Sequence, residues 1–275
     1  MDYSNLRQKW RNILPMQESL PKSGRLPAHL KIKYGPIGLL GRFFLWADSA
    51  ARDRGVTLYF ASLEDLIEVN KANSESWRPL VPIFDLALGG ITPETGFALI
   101  GRDREGQVVA TQAARFYDWS ETTLADEATS LRMFYADPDV AFMRGDRCAI
   151  TTAAAGRITG RVVFSGAGWY RRDYRGKDLA TILPRISRAY AFTRWNTEFT
   201  ISMMGHAVVA GGMAERTGYT KVEHGGVDLV ASPLGQFPSA LVWMPSDELL
   251  ADLAAVMDQV PVPVVASGIA AEANR

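Results

Sequence analysis

The chain has very little cysteine and histidine. Its 275 residues include one cysteine, Cys148, and three histidines. A single cysteine excludes an intramolecular disulfide, which agrees with a reducing compartment. Cys148 has no histidine near it in the sequence, so we interpret it as a structural thiol rather than a nucleophile. No metal site is predicted.

Net charge is also absent, because 30 basic residues balance 30 acidic ones. This balance argues against an obligate nucleic-acid-binding protein, which usually has a basic excess. The charge is unevenly distributed, since residues 1–55 contain ten basic and four acidic side chains. This basic stretch either packs on the acidic remainder or a neighbouring subunit of a homodimer, or contacts a membrane surface, nucleic acid or acidic protein. We favour packing, because apolar residues dilute the basic ones.

Long hydrophobic runs are missing as well. The most apolar segment, Pro36 to Trp46, is interrupted by two glycines and by Arg42. It is far shorter than the ~20 residues that a membrane-spanning helix needs. The first residues do not follow the charged-then-apolar pattern of a signal sequence. We therefore expect a cytoplasmic protein with no membrane span.

What is present is an alternation of strand and helix patterns that starts at Val56. The run Val56–Phe60 is β-branched and aromatic, which predicts a strand. Ser62 and Asp65 then form a capping-box pattern at a helix start. The later predicted elements are a hairpin from Gly96 to Phe116, strands at Cys148–Thr152 and Gly160–Tyr170, a helix at Leu179–Trp195, a strand at Glu198–Met204, a helix at His206–Arg216, and strands at Thr220–Val230 and Ala240–Met244. This order predicts a mixed α/β layer around one sheet.

The segments on either side of this layer have a different pattern. Prolines limit regular structure near the N-terminus, where a short helix is predicted at Leu6–Leu14 and a second helix or an apolar packing segment at Leu39–Ala51. We predict an N-terminal extension over residues 1–55 that packs on the body, and a main domain over residues 56–245. Residues 246–275 are predicted to form a C-terminal helix and a frayed tail.

The turn after the strand that ends at Tyr170 contains most of the chemical information. Four basic side chains occupy it before a helix begins at Leu179, and they are Arg171, Arg172, Arg175 and Lys177. A helix start exposes unpaired amides and the positive end of the helix dipole, and both suit a phosphate. Gly176 allows the backbone to come close to a ligand. The turn therefore predicts a phosphate-binding site.

The segment Arg175–Ala180 resembles the acyl-coenzyme A pyrophosphate loop of the GNAT N-acetyltransferase superfamily. Arg175 and Ala180 match the outer positions of the family pattern. Asp178 stands where the family has its inner glycine. We expect Asp178 either to place a negative charge near the anion or to cap the following helix with its side chain.

A second segment, Gly211–Tyr219, is similar to a family helix that ends in a tyrosine-glutamate-lysine-leucine-glycine-phenylalanine run. Glu215, Gly218 and Tyr219 match that run. The predicted hairpin is similar to the second and third strands of the family. Together these matches cover about Val56 to Met244.

Three positions depart from the family pattern. The frequent general-acid tyrosine falls on Ala214, a frequent glutamate of the preceding strand falls on Ser202, and the asparagine that often opens the helix falls on Ala207. The resemblance therefore extends to the coenzyme scaffold and not to the usual acid–base residues.

The resemblance implies a mixed, mostly antiparallel sheet with helices on both faces. It also implies transfer of an acetyl or other acyl group from acyl-coenzyme A, as co-substrate, to an amine of a small molecule or a peptide. Gly168, Trp169 and Tyr170 would pair with the pantetheine arm. The implied coenzyme-binding residues also include the whole pyrophosphate turn: Arg175, Gly176, Lys177, Asp178, Leu179, Ala180 and Thr181.

Two side chains are candidates for the proton transfer that amine acylation needs. His206 is the first candidate for a general base, because imidazole titrates near neutral pH. Glu198 is the second candidate and would act through a water chain. A histidine at a helix start can equally be a capping or rim residue. His224 and Asp228, on the next strand, either line an acceptor pocket or face solvent.

Two other functions stay open at this point. One is a catalytically degenerate module that binds or senses acyl-coenzyme A or acts as a scaffold, and the departures at Ser202 and Ala214 motivate it. The other is a transferase that takes its acyl group from an acyl carrier protein or an aminoacyl-tRNA. The basic N-terminal stretch suits either of these acidic donors.

Overall fold

The computed structural model describes residues 25–231 and 234–260. The helix predicted at Leu6–Leu14 and the tail beyond Val260 lie outside the described residues. None of the described helices is both long enough and apolar enough to cross a membrane.

Eight strands within residues 25–231 and 234–260 form one sheet. They are Thr57–Ala61 (β1), Gly96–Arg102 (β2), Val108–Trp119 (β3), Arg147–Ile150 (β4), Gly160–Tyr170 (β5), Phe199–Gly205 (β6), Lys221–Ala231 (β7) and Gly235–Pro245 (β8). Their spatial order is β1-β2-β3-β5-β6-β8-β7-β4. Among the described strands, every neighbouring pair is antiparallel except β5 with β6, which run parallel. The prediction of a mixed, mostly antiparallel sheet is therefore confirmed.

The helices lie on both faces of this sheet, as predicted. They are Ile37–Asp53 (α1), Leu63–Ala72 (α2), Leu124–Thr129 (α3), Pro138–Met143 (α4), Leu179–Trp195 (α5), His206–Ala210 (α6), Met213–Arg216 (α7) and Ser246–Asp258 (α8). Val163 of β5 belongs to the core that α1, α5 and α8 cover. Its neighbours Val162 and Phe164 belong to the core that α2, α3 and α4 cover. The alternation follows from the period of a strand, in which successive side chains point to opposite faces.

The helix α1 packs directly against α5 and α8. Its residues Leu40, Phe43 and Phe44 are buried in the core of that face. Arg25 forms an ion pair with Asp48 of α1, and the Asp48 side chain is fully buried. Residues 25–53 thus pack on the body of the protein, and the packing of the whole basic stretch stays a prediction. The boundary at residue 55 stays a prediction.

The starts of α2 and α5 and the interior of α5 test the local sequence signals. The capping box at Ser62 is confirmed, because Ser62 Oγ accepts a hydrogen bond from the Asp65 amide at 3.0 Å and Asp65 Oδ2 accepts one from the Ser62 amide at 3.3 Å. The predicted bounds of α5 are also confirmed, and Pro184 lies buried inside this helix without delaying its start.

The single helix predicted over His206–Arg216 is wrong. The structure has two short helices, α6 and α7, separated by Gly211 and Gly212. Gly212 has a φ of +73°. Glycine adopts this left-handed conformation at little cost, and the conformation ends a helix.

Candidate functional site

The only parallel pair of strands among the described residues comes apart along its length. Strands β5 and β6 pair over Val162–Phe164 and Phe199–Ile201. Beyond these residues β5 continues to Tyr170 and β6 to Gly205 without further pairing to each other. The two strands therefore diverge beyond Phe164 and Ile201. It leaves one edge of β5 from Ser165 onward without a partner strand.

A bulge in β5 accompanies this divergence. The register of β5 against β3 shifts between Thr111 and Ala113, and Ala167 has a φ of +53°. Thr111 Oγ1 donates a hydrogen bond to the Ala167 carbonyl at 2.9 Å, which holds the bulge. A bulge bends its strand and increases the local twist. We attribute the separation of β5 from β6 to this bend.

The turn between β5 and α5 uses two left-handed residues in close succession. Gly176 has a φ of +80° and Asp178 has a φ of +56°. A Cβ atom added to Gly176 would meet nothing within 4 Å, so this glycine is required by conformation rather than by packing. Aspartate tolerates the left-handed region better than most residues do. This explains how Asp178 can occupy the position that is glycine in the family pattern.

The expected side-chain cap at Asp178 is wrong. The Asp178 side chain makes no capping hydrogen bond, because the left-handed backbone turns it away from the helix. Its backbone carbonyl instead accepts hydrogen bonds from the Thr181 amide at 3.0 Å and the Thr181 hydroxyl at 2.7 Å. The amides at the start of α5 are therefore not occupied by the aspartate.

Five consecutive backbone amides are free at this helix start. Within the described part of the chain, the N–H groups of residues 176–180 donate no hydrogen bond to another residue. The 17-residue helix α5 adds the positive end of its dipole. Unpaired amides and a helix dipole at one place are suited to an anion such as a pyrophosphate.

The basic side chains of the turn divide into two groups. Arg171 donates hydrogen bonds to Asp103 at 2.9 Å and to Asp173 at 2.7 and 2.8 Å, so its charge is compensated. Burial alone would raise the pKa of Asp103, but the Gln107 amide and Arg171 outweigh it and hold that pKa below its usual value. Arg171 thus fastens the turn to the hairpin between β2 and β3.

The other three basic side chains are exposed at the turn. Arg172, Arg175 and Lys177 form no ion pair with any described carboxylate. Arg175 Nε donates to the Tyr170 carbonyl at 3.1 Å, and Lys177 Nζ lies 3.8 Å from the centre of the Tyr174 ring. These contacts orient the side chains and leave their charges available to an anion.

Sequence reasoning missed Arg54, which holds the turn from the other side. Arg54 Nε donates a hydrogen bond to the Lys177 carbonyl at 2.7 Å, and Arg54 Nη2 lies 3.8 Å from Asp178 Oδ2. Arg54 Nη1 also donates to the Ala50 carbonyl at 2.8 Å, near the end of α1. No sequence spacing connects positions 54 and 177. Only the packing of α1 beside α5 brings them together.

The three residues expected to pair with pantetheine lie on the unpaired part of β5. Tyr170 is paired with Ala110 and Trp169 with Thr111 on the β3 side only. The Trp169 ring stacks on Trp77 with centroids 5.5 Å apart, so this side chain packs rather than faces a ligand. Gly168 is exposed. Backbone groups of this segment are therefore available on the edge that faces β6.

The two candidate catalytic residues lie at opposite ends of the parallel pair. His206 follows the last residue of β6 and is exposed, at the same end as the turn that follows β5. Glu198 precedes β6, where its Oε2 accepts a hydrogen bond from the Arg161 amide at 2.7 Å and its Oε1 lies 3.4 Å from Arg161 Nη2. The structure thus brings His206 to the end that carries the turn, and it does not bring Glu198 there.

Buried polar groups lie next to the point where β5 and β6 separate. Ser165 and Ser202 are the first residues of β5 and β6 beyond the paired stretch, and both are buried. The Tyr219 hydroxyl and the fully buried Arg188 of α5 lie beside them. Burial raises the pKa of Tyr219, and Arg188, Ser202 and Ser165 act in the opposite direction. Ala214, where the family pattern has tyrosine, is buried in the core.

An open depression of about 700 Å³ lies at the paired end of the strands, around Arg161, Glu198 and Asp247. It is not at the turn, and two of its charged side chains, Arg161 and Glu198, pair with each other. We therefore give more weight to the turn. Among residues 25–231 and 234–260, no three metal-ligating side chains come together.

Solved structures that are similar to the chain include N-acetyltransferases. Aminoglycoside acetyltransferase AAC(6')-Ib with coenzyme A and kanamycin bound is 14% identical over 70% of this chain and 96% of its own, with a TM-score of 0.39. A mutant form of the spermidine/spermine N-acetyltransferase SpeG from Vibrio cholerae is 10% identical over 72% of this chain and 97% of its own, with a TM-score of 0.41. No family model and no curated protein sequence matches the chain. Because these sequence identities and TM-scores are low, we base the functional assignment on the geometry of the site itself.

Proposed function

We propose that this protein is an acyl-coenzyme A-dependent N-acyltransferase, which moves an acetyl or another acyl group to an amine. One observation carries the proposal. The turn with five free amides stands at the end of β5 where β5 has separated from β6. A nucleotide pyrophosphate needs the amides, and a long flexible arm needs an open strand edge next to them. Both occur side by side.

The proposed binding mode assigns a role to each part of the site. The amides of residues 176–180 hold the pyrophosphate, and the exposed Arg172, Arg175 and Lys177 add charge for phosphate oxygens. The backbone of residues 168–170 pairs with the amide groups of pantetheine along the open edge of β5. The thioester then lies between the two strands.

The transfer itself is direct attack of an amine nitrogen on the thioester carbonyl. Holding the amine beside the thioester supplies much of the rate by proximity. His206 stands at the end of β6 next to this gap, and its imidazole is suited to take the proton from the amine. The acceptor is an amine of a small molecule or a peptide, and a cytoplasmic location and a homodimer remain part of the proposal.

A second candidate function is a binding module that senses acyl-coenzyme A without turnover. Ala214 and Ser202 favour it, because the residues that usually act as acid and base in the family pattern are replaced there. A donor bound to an acyl carrier protein or a tRNA is less favoured. Arg25 and Arg54 of the basic stretch are engaged with Asp48 and with the turn, so they are not free for an acidic macromolecule.

Thermal unfolding with coenzyme A, acetyl-coenzyme A and longer acyl-coenzyme A thioesters tests the proposal. A ligand that binds the native state at 100 times its dissociation constant stabilises it by about 2.7 kcal/mol. We expect a rise in the midpoint with coenzyme A compounds and a smaller one with ATP, which lacks pantetheine. The absence of any rise would overturn the proposal.

Thiol release with a panel of polyamines, aminoglycosides and lysine peptides then separates the enzyme from the sensor. An enzyme releases coenzyme A with at least one amine. Binding without release across the panel would favour the sensor. His206→Ala should lower the turnover number about 100-fold or more if His206 is the base. An unchanged turnover number in this variant would remove His206 from the mechanism.

A further inference from the structure

The loop between α2 and β2 crosses the open end of the gap between β5 and β6. Trp77 of this loop stacks on Trp169 of β5, with ring centroids 5.5 Å apart. The next residue, Arg78, lies over the ring of Phe237 of β8, with its guanidinium carbon 5.2 Å from the ring centre. In the sheet, β6 lies between β5 and β8. Two consecutive residues therefore contact the strands on either side of β6, so the loop spans the gap.

The loop is held in place on both sides of Arg78. Trp169 Nε1 donates a hydrogen bond to Ser76 Oγ at 3.2 Å. Asn70 of α2, which is buried, donates a hydrogen bond from Nδ2 to the Arg78 carbonyl at 2.9 Å. The position of the Arg78 backbone is therefore fixed by β5 and by α2, and its side chain is placed by the ring of Phe237.

This loop and helix α5 lie on opposite faces of the sheet. Trp77 and Phe237 pack against the core that α2, α3 and α4 cover. The buried residues of α5 belong to the core of the other face. In the proposed function, the start of α5 holds the pyrophosphate, so coenzyme A approaches the gap from the α5 side. The face that carries the loop is then the side on which the amine has to enter.

A free cation stands on this side, close to the candidate general base. A Cβ atom added to Gly205 would lie 3.9 Å from Phe237 Cε2, so the ring beneath Arg78 lies against the last residue of β6. His206 is the next residue along the chain. The Arg78 side chain is exposed and forms no ion pair with a carboxylate of the described residues.

Two carboxylates could oppose the charge of Arg78, and neither neutralises it. Glu75 of the same loop is exposed and forms no ion pair with Arg78. Glu223 of β7 stands opposite Leu241, whose side chain belongs to the core of this face. Strands β6 and β8 separate Glu223 from the gap. The charge at the entrance for the amine is therefore positive, which suits an acceptor that carries a negative group.

We propose that Arg78 binds a carboxylate of the acceptor, and that the acceptor is a small molecule with a carboxylate next to its amine, as in an α-amino acid. This inference rests on the proposed function. A guanidinium offers paired N–H groups that match the two oxygens of a carboxylate. With the carboxylate at Arg78, the amine nitrogen of the same molecule is directed towards His206 and the thioester. Acceptors with several positive charges are disfavoured by repulsion from Arg78.

The chemical step is unchanged by this assignment. The amine nitrogen forms a bond to the thioester carbonyl carbon, and the carbon–sulfur bond breaks with its electron pair going to sulfur. His206 takes the proton that the nitrogen loses, and the coenzyme A thiolate takes a proton from solvent. Arg78 touches only the carboxylate of the acceptor, so it determines specificity and takes no part in proton transfer.

Thiol release with matched sets of acceptors tests this recognition of charge. Each set contains an α-amino acid, its carboxamide and the amine that lacks the carboxyl group, for example leucine, leucinamide and 3-methylbutylamine. The carboxamide keeps the shape of the acid and loses its charge. With the wild-type protein, we expect kcat/KM for the best amino acid to exceed that for its carboxamide by about 10-fold or more. Equal values for the acid and the carboxamide in every set would overturn the inference.

The decisive variant is Arg78→Met, with Arg157→Met as its matched control. Arg157 lies before β5 at the paired end of the strands, is exposed, and forms no ion pair with a described carboxylate. We expect Arg78→Met to raise the KM for the amino acid about 10-fold or more and to leave the KM for its carboxamide and for acetyl-coenzyme A unchanged. Arg78→Lys keeps the charge without the paired N–H groups and should retain part of the preference. Arg157→Met should behave like the wild type.

A merely structural role of Arg78 would give a different result. It would lower kcat/KM for the acid and the carboxamide by the same factor, and this outcome would overturn the inference. Thermal unfolding with coenzyme A checks that the coenzyme site is intact, because the rise in the midpoint should be equal in the wild type and in Arg78→Met.

The outcomes separate this inference from the function on which it rests. A wild-type protein that releases no thiol with any amine, amino acids included, would remove the enzymatic function and the inference together. A wild-type protein that acylates polyamines or aminoglycosides in preference to amino acids would remove only the role of Arg78. In that case, a loss of this activity in Glu223→Gln would assign recognition of the acceptor to a carboxylate instead.

Discussion

The two ends of the parallel strand pair β5 and β6 differ in how completely their polar groups are used. At the paired end, Glu198 satisfies the amide and the guanidinium of Arg161. At the open end, five amides of the turn have no acceptor among the described residues, and three basic side chains form no ion pair with a described carboxylate. The charged groups at the paired end stabilise the fold by pairing with each other, whereas the free amides and unpaired cations at the open end are suited to an anion.

The largest effect expected on coenzyme A binding comes from the backbone of the turn. Valine is strained at the positive φ of Gly176, by about 1–3 kcal/mol. Gly176→Val should therefore distort the free amides and weaken coenzyme A binding at least about 10-fold. Gly106→Val is the matched control, because Gly106 has the same φ of +80° and the same open surroundings, in the hairpin between β2 and β3. Isothermal titration should show weaker binding only for Gly176→Val, and equal weakening in both variants would contradict a local role.

A smaller effect is expected from Arg54, which supports the turn without being part of it. Arg54→Met keeps most of the aliphatic stem and removes the hydrogen bond to the Lys177 carbonyl. We expect coenzyme A to bind about 5-fold more weakly. A charged hydrogen bond contributes on the order of 1–3 kcal/mol to stability, and only part of that free energy should affect ligand binding. Arg52→Met, on the exposed side of the same helix end, should bind coenzyme A like the wild type. Weaker binding in both would indicate an effect of net charge alone.

Much of the scaffold around these residues could be predicted from the sequence. The strand Gly160–Tyr170 and the helix Leu179–Trp195 were predicted at their observed bounds, because β-branched and aromatic runs and a regular apolar period are strong local signals. The broken helix over His206–Arg216 was missed, although Gly211 and Gly212 are visible in the sequence. Two adjacent glycines lower helix stability, and this outweighed the match to a longer helix.

The parts of the site that depend on packing could not be predicted. Arg54 reaches the turn only because α1 lies beside α5. In the sequence, strands β1 to β5 lie between residues 54 and 177. The cluster of Arg188 and Tyr219 also depends on tertiary contacts between α5 and the segment after α7. A side-chain cap was one of two expectations for Asp178, because local propensity favours one, whereas the left-handed φ of Asp178 rules the cap out. Backbone conformation at single residues is not encoded by residue type alone.

Substitutions at the two ends of α5 are expected to have smaller effects, and these effects can be compared with each other. Asp178 at its start and Asn196 at its end are both left-handed, with φ values of +56° and +51°. Glycine at either position should relieve strain and raise the free energy of unfolding by about 0.5–1 kcal/mol. Only Asp178→Gly also removes a negative charge next to the proposed anion, so it should tighten coenzyme A binding about threefold. Tighter binding in Asn196→Gly as well would show that helix stability, rather than charge, controls affinity.

The smallest effect is expected at the paired end, and it tests the comparison most directly. Glu198→Gln keeps an oxygen that accepts from the Arg161 amide and removes only the charge of a half-exposed ion pair. Such pairs contribute less than about 1 kcal/mol, so the unfolding midpoint should fall only slightly. The turnover number and its pH profile should equal those of the wild type, in contrast to His206→Ala. A large loss of turnover in Glu198→Gln with intact coenzyme A binding would mean that the catalytic chemistry extends to the paired end. An ion pair that only stabilises the fold, at a distance from the thioester, should not change the rate at which the amine attacks the thioester.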